Sequence, residues 1–275
     1  MTRAFALLLA LIAGPAQAGP AAAPQRVVSM NLCTDQLAML LAAPGQLVSV
    51  SPLAADPVSS VMAEQAKAYS ANSGLAEDIY LLKPDLVLAG AFTGRATVAM
   101  LERLGIPVAI FPPAASIADV RQGMLDMGRA LGHEPQAEAM VADFDARLSA
   151  LASGPGPAPR PTAAAYAANG YNPGRSSLSG EIIEAAGFHN LAGDLGMETA
   201  GFVPLEALVM ADPDLVITGN SYGYTTRAEE ILRHPALARL TGGRQPMEDR
   251  DWICGLPSVL DAVERLGAAR QEVGR

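Results

Sequence analysis

The stretch IYLLKPDLVLAG, residues 79–90, decides the fold, because its pattern returns as LEALVMADPDLVITGN at residues 205–220. Each reads as the end of a helix, then a Pro-Asp turn, then a short aliphatic run. Proline bars the residue before it from the right-handed helical region, so each helix must stop there. The runs LVLAG and LVIT lack polar alternation, which marks strands covered on both faces. A helix that turns tightly into a doubly covered strand is half of a βαβ unit. Its occurrence once in each half predicts an α/β protein of two lobes, with mainly parallel central sheets flanked by helices.

The flanking sequence extends this pattern. In the first half, strands are expected at 26–30 (RVVSM), 47–51 (LVSVS), 86–88 and 107–111 (PVAIF). Helices are expected at 34–41, ending near 82, and at 97–104. A helical stretch follows over 117–131 and 136–151, separated by Gly132 as a C-cap and Pro135 in a new first turn. The second of these reaches roughly 25 Å, enough to bridge two lobes. Residues 153–161 (SGPGPAPRP) cannot be helical and mark a boundary. The second half then gives strands at 162–167 and 215–218, and helices at 180–186, 205–210, from 229 and over 257–269. The expected organisation is a signal peptide at 1–18, a first lobe at 24–116, a helical segment at 117–152 and a second lobe at 162–275.

Residues 1–18 carry Arg3, an apolar run over 4–13 and the small-residue cleavage pattern Ala16-Gln17-Ala18. That run is too short for a spanning helix, so export to the periplasm and a mature start at Gly19 are expected. The formal charge of −9, with no basic run, argues against nucleic acid or an anionic membrane as partner. The histidines, His133, His189 and His234, share no ligand spacing, so neither a protein-held metal nor a cofactor is expected.

Gly219-Asn220-Ser221-Tyr222-Gly223 matches the G-x-S-x-G elbow of serine hydrolases and follows a strand. No His follows Asp249, Asp251 or Asp261, and too little chain remains for further catalytic loops. The segment is therefore read as a polar loop lining a cleft, and the protein as a non-enzyme. A secreted hydrolase using Ser221 is the alternative.

The phrases RVVSMN, AEDIYLLKPDLVLAG, LERLGIPVAIF, SLSGEIIEAAGF and PLEALVMADPDLVITG, in this order, together with Asp251-Trp252 before a last helix, resemble the periplasmic binding proteins for vitamin B12, ferric siderophores and haem. The resemblance covers nearly all of the chain after residue 18. It implies two α/β lobes joined by a single long helix, with little hinge motion. It also implies a monomer that captures a metal chelate and delivers it to an ABC permease dimer with its ATPase. A corrinoid or ferric siderophore ranks ahead of haem, which needs an axial Tyr or His. A periplasmic chelate sensor or chaperone of the same fold is a further reading.

Ligands of open α/β sheets bind at the carboxyl ends of the strands. The loops there, 30–34, 51–54, 90–95, 169–177 and 219–227, hold Phe92, Tyr171, Tyr222, Tyr224, Arg95, Arg175 and Arg227. Aromatic faces and arginine forks suit a large, partly apolar ligand with carboxylate or amide edges. Phe92, Arg95, Tyr171, Arg175, Tyr222 and Tyr224 are therefore the candidate contacts. Trp252, the single tryptophan, joins them because the resemblance places its segment at the cleft. Cys33 and Cys254 each stand near a helix N-terminus; they could pair, ligate a metal in the ligand, or stay free. A disulfide across the cleft would oppose ligand release, so free or ligand-facing thiols are favoured and Cys33 is counted among the contacts. Glu77 and Glu206 hold matching places ahead of the two Pro-Asp phrases. The resemblance implies that they dock on arginines of the two permease subunits.

Overall fold

The computed structural model describes residues 22–152, 159–219, 226–240 and 242–273. In its first half, β1 (Val27–Ser29), α1 (Leu32–Leu41), β2 (Leu47–Val50), α2 (Ala63–Ala66), β3 (Ser70–Ala71), α3 (Ala76–Leu81), β4 (Leu86–Gly90), α4 (Arg95–Arg103) and β5 (Val108–Phe111) follow one another. The strands are all parallel, in the order β3-β2-β1-β4-β5. α5 (Ile117–Leu131) and α6 (Glu134–Ala152) carry the chain to the second half. There β6 (Thr162–Ala165), β7 (Tyr171–Asn172), α7 (Leu178–Ala185), β8 (His189–Asn190), β9 (Gly201–Phe202), α8 (Leu205–Ala211), β10 (Leu215–Thr218), β11 (Gly243–Pro246) and α9 (Val259–Val273) complete the order. Four of these strands form a parallel sheet, β11-β10-β6-β8, and β7 pairs antiparallel with β9.

The two Pro-Asp turns act alike. Lys83 and Asp212, each just before the proline, take left-handed φ angles of 51° and 39°. That conformation ends the helix and escapes the clash that proline imposes on a right-handed predecessor. The aspartate that follows then clamps the neighbouring central strand. Asp85 accepts hydrogen bonds from the backbone of Gln25 (2.7 Å) and Arg26 (2.8 Å), at the entry to β1. Asp214 accepts from Thr162 N (2.7 Å) and Oγ1 (2.9 Å), at the entry to β6. One short phrase thus stops a helix, starts a strand and fixes the start of the next strand over.

Alternation along the strands sorts the core. Val27 and Leu88 face one way in the first sheet, with Ala163, Ala165, Leu215 and Ile217 of the second. Together with Met124, Met127 and Leu131 of α5, Phe144 of α6, Ile182 and Ile183 of α7, and Leu260 and Leu266 of α9, they form one cluster spanning both halves. Val28, Val87, Ile79 and Leu101 pack on the other face of the first sheet. Ala164, Val216, Leu208 and Tyr166 do the same in the second. A core that is continuous across both sheets resists relative movement, since packed interiors rearrange only at a cost.

α6 has 19 residues, about 28 Å at 1.5 Å per residue. It folds back on α5 through Gly132, where the left-handed φ of 75° suits glycine. The two helices approach so closely that a Cβ on Gly128 would lie 2.4 Å from that of Ala137. Arg147 of α6 pairs with Asp261 (2.6 Å) and Glu264 (2.9 Å) of α9.

Several local expectations change. The helix expected from 229 is a 3-10 segment, Arg227–Arg233, opened by a capping box of Thr226 and Glu229 and closed ahead of Pro235. β3, β7, β8, β9 and β11 were not legible as strands. Residues 1–18 and Ser221 lie outside the described residues, as does most of the 153–161 boundary. Among the described residues, no helix is long and apolar enough to cross a membrane.

Candidate ligand-binding site

In the first sheet the strand order reverses between β1 and β4, because β2 lies on one side of β1 and β4 on the other. Loops leaving such a pair diverge and open a crevice at the carboxyl edge. A hollow of about 200 Å³ sits there, lined from β1 by Asn31, Cys33 and Thr34, from β4 by Gly90, Ala91 and Phe92, and from β5 by Phe111 to Ala114. Asp119 of α5 and, from the second half, Ile253 and Gly255 complete its wall.

Local sequence explains the shape. Asn31 caps α1, its Oδ1 accepting from Cys33 N (3.0 Å) and Thr34 N (3.5 Å). Its side chain lies against the end of β4, where a Cβ on Gly90 would approach Asn31 Cγ to 2.9 Å. Glycine at that strand end therefore makes room for the cap. Phe92 is 89% exposed and stands free on the rim. Beneath the hollow lies a buried polar layer. Thr34 and Ser29 share a hydrogen bond of 2.7 Å, and Asp35 Oδ2 accepts from Ser51 N (3.1 Å) and Oγ (2.5 Å). Burial pushes the Asp35 carboxyl up to about 6 despite these serine donors.

The expected contacts do not all meet here. Cys33 and Phe92 line the hollow. Arg95 is exposed at the first residue of α4. Arg175 lines a second, open hollow of about 650 Å³ with Ala115, Ser116, Gly180 and Glu181, and faces Glu198 at 3.6 Å. Tyr171 in β7 packs edge-on against Phe202. Trp252 is half-buried against the main core, two residues from Cys254. Tyr222 and Tyr224 lie outside the described residues. Asn31, Phe111, Asp119 and Ile253 were missed as lining residues. Asn31 carried a usable signal, a helix cap directly after a central strand.

One expectation is corrected outright. Cys33 and Cys254 are joined in a disulfide, with Cα atoms 5.2 Å apart, so neither is a free or metal-binding thiol. α1 and the 249–258 segment bring the two side chains together across 221 residues of sequence, a proximity that spacing along the chain does not reveal.

Glu77 and Glu206 are both exposed and both sit in the first turn of their helices, α3 and α8. Glu77 borders an apolar surface hollow of about 270 Å³ made by Tyr80, Leu81, Met100 and Leu104. Near Glu206 the helix exposes Met210, and the buried Tyr166 phenol is pushed up by burial and then by the charge of Glu206. The histidines stay clear of the cleft: His133 bonds Gln46, His189 pairs with Asp194, and His234 Nδ1 accepts from Ala236 N.

Residues 27–245 match the model of the family described as periplasmic binding protein. The chain belongs to the periplasmic binding protein family. This is a solute-binding class, and its folds include the two-sheet arrangement seen here. A cobalamin-binding protein of Halobacterium salinarum is 32% identical over 202 residues, 72% of this chain. This chain spans 54% of the length of that relative. A periplasmic haem-binding protein from Roseiflexus superposes with a TM-score of 0.73 at 22% identity, covering 91% of this chain and 99% of its own. The periplasmic vitamin B12 binding protein of Vibrio cholerae does so with a TM-score of 0.66 at 19% identity, covering 92% and 98%.

Proposed function

We propose that the protein captures a corrinoid in the periplasm and delivers it to an ABC permease dimer with its ATPase. The observation that carries this reading is the hollow at the β1/β4 switch point, where aromatic, amide and aliphatic surface converge. Such a lining suits a ligand whose metal is already coordinated within its own macrocycle. The 32% identity to a cobalamin-binding protein supports a corrinoid ahead of a siderophore or haem. A volume of about 200 Å³ accommodates an edge of such a ligand, and the remainder would extend over Phe92 and the facing lobe.

Capture needs little rearrangement, because the core is continuous between the halves; a preorganised site pays less ordering entropy on binding. Glu77 and Glu206 are the docking residues for the permease. Matching carboxylates on two similar lobes suit a partner of two-fold symmetry, and charge complementarity across an interface governs register and encounter rate. The protein purified from its native periplasm should carry a corrinoid visible spectrum. A haem Soret band or a ferric charge-transfer band would replace the corrinoid with one of the other chelates. A colourless protein with esterase activity lost in Ser221→Ala would overturn the binding reading.

A further inference from the structure

We propose that residues 248–256 form a redox-addressable strap, and that the Cys33–Cys254 disulfide holds this strap closed as one wall of the ligand hollow. The ligand half of the proposal rests on the function proposed above; the strap itself does not.

The strap begins after β11 and ends before α9, so both of its ends belong to the second half. Asp251 anchors it there through Arg265 of α9, at 2.7 Å. Its middle crosses to the first half at several points. Arg250 Nη1 donates to Pro57 O (2.8 Å), Gln36 Nε2 donates to Cys254 Sγ (3.7 Å), and Cys254 is bonded to Cys33 of α1. Gly255 lies so close to the loop after β5 that a Cβ would stand 2.5 Å from that of Ala114. Ile253 and Gly255 face the hollow.

The bond sets a limit on opening. Its Cα atoms are 5.2 Å apart, and a disulfide cannot span much beyond about 7 Å. The halves therefore cannot part here by more than about 2 Å while it is intact. Without it, the contacts of Arg250 and Gln36, the packing of Gly255 and the burial of Leu256 in the main core remain, but no covalent tie crosses between the halves at the strap.

The two sulfurs differ in access. Cys33 is partly exposed and lines the hollow, whereas Cys254 is 2% exposed. An incoming thiolate of a dithiol reductant reaches Cys33 Sγ and forms a mixed disulfide there. The Cys33–Cys254 bond breaks, and Cys254 leaves as a thiolate beside the Gln36 amide before taking a proton. The second thiol of the reductant then displaces Cys33, which is released as a thiol. The protein gains two electrons and two protons, and the dithiol becomes a disulfide. A ligand seated in the hollow covers Cys33. By reciprocity, if reduction weakens ligand binding, the ligand must oppose reduction by the same factor.

Hydrogen exchange on the intact protein, oxidised and after dithiothreitol, tests the strap, with Cys33→Ser/Cys254→Ser as the second form. Exchange in 248–256 should accelerate at least tenfold in both reduced and double-variant protein, with β10 and the middle of α9 unchanged. Unchanged exchange in 248–256 of reduced wild type would overturn the strap, whether or not the variant folds. Cyanocobalamin measured by equilibrium dialysis should bind at least tenfold more weakly once the bond is cut, and should slow reduction by dithiothreitol. Equal binding to both forms would overturn its role in holding ligand. Cyanocobalamin that binds neither form would count against the corrinoid reading, and the exchange result would still decide the strap.

Discussion

Replacing Asp35 by asparagine isolates the cost of a buried carboxylate beneath the cleft. The residue has no exposed surface, and its Oδ1 has no partner among the described residues. Burial raises its pKa from 3.8 to about 6. Below pH 3.8 both the native and the unfolded chain hold the proton, and the stability is fully present. Between 3.8 and about 6 only the unfolded chain gives the proton up, so the native state loses stability as pH rises. Above about 6 the loss is complete. At about 1.4 kcal/mol per pH unit, the whole interval is worth roughly 3 kcal/mol. Asparagine has no proton to lose. Urea unfolding of wild type and Asp35→Asn, followed by far-ultraviolet circular dichroism, should therefore give a difference in stability that depends on pH. From pH 7 to pH 4, wild type should gain about 2 to 3 kcal/mol relative to the variant. A difference that stays flat across that range would show that Asp35 titrates as an ordinary carboxylate, and would refute the argument from burial.

Other consequences follow from single contacts. Asp214→Ala removes the acceptor for both Thr162 groups and should cost about 2 kcal/mol in the same unfolding assay, with Asp214→Asn costing less. Tyr166 buries a hydroxyl that has no partner among the described residues; Tyr166→Phe should leave the melting temperature unchanged or raise it. Glu77→Arg combined with Glu206→Arg should leave ligand affinity intact and impair uptake by cells carrying the importer. Normal uptake by that double variant would remove both carboxylates from the docking surface.

Much of the fold was legible because its decisive signals are local. The Pro-Asp phrase contains the helix stop, the turn and the buried strand within a dozen residues, so the repeat could be seen without tertiary information. The strands that escaped notice lack such a signal. Ser70–Ala71 and Gly243–Pro246 lie at sheet edges, mostly exposed, with no apolar alternation to mark them. The site was legible only in part, for the same reason. Phe92 could be placed because it follows a strand that the pattern identified. Asp119, Ile253 and the partner of Cys33 come from other elements and meet only when the two halves close. Free thiols were favoured because a bond between the lobes was set against ligand release; the bond instead joins α1 to the 249–258 segment where the two halves already share one core. Arg175 and Tyr171 were grouped with Phe92 by loop type, which cannot tell one hollow from another.

Calorimetric titration of the purified, oxidised protein with cyanocobalamin decides whether the protein captures a corrinoid. One-to-one binding is expected, with a Kd of about 1 μM or tighter, roughly −8 kcal/mol or better, and weaker binding of haemin and of a ferric hydroxamate. No binding of cyanocobalamin, with tight binding of either competitor, would contradict the corrinoid assignment; no binding of any of the three would contradict the capture of a metal chelate altogether.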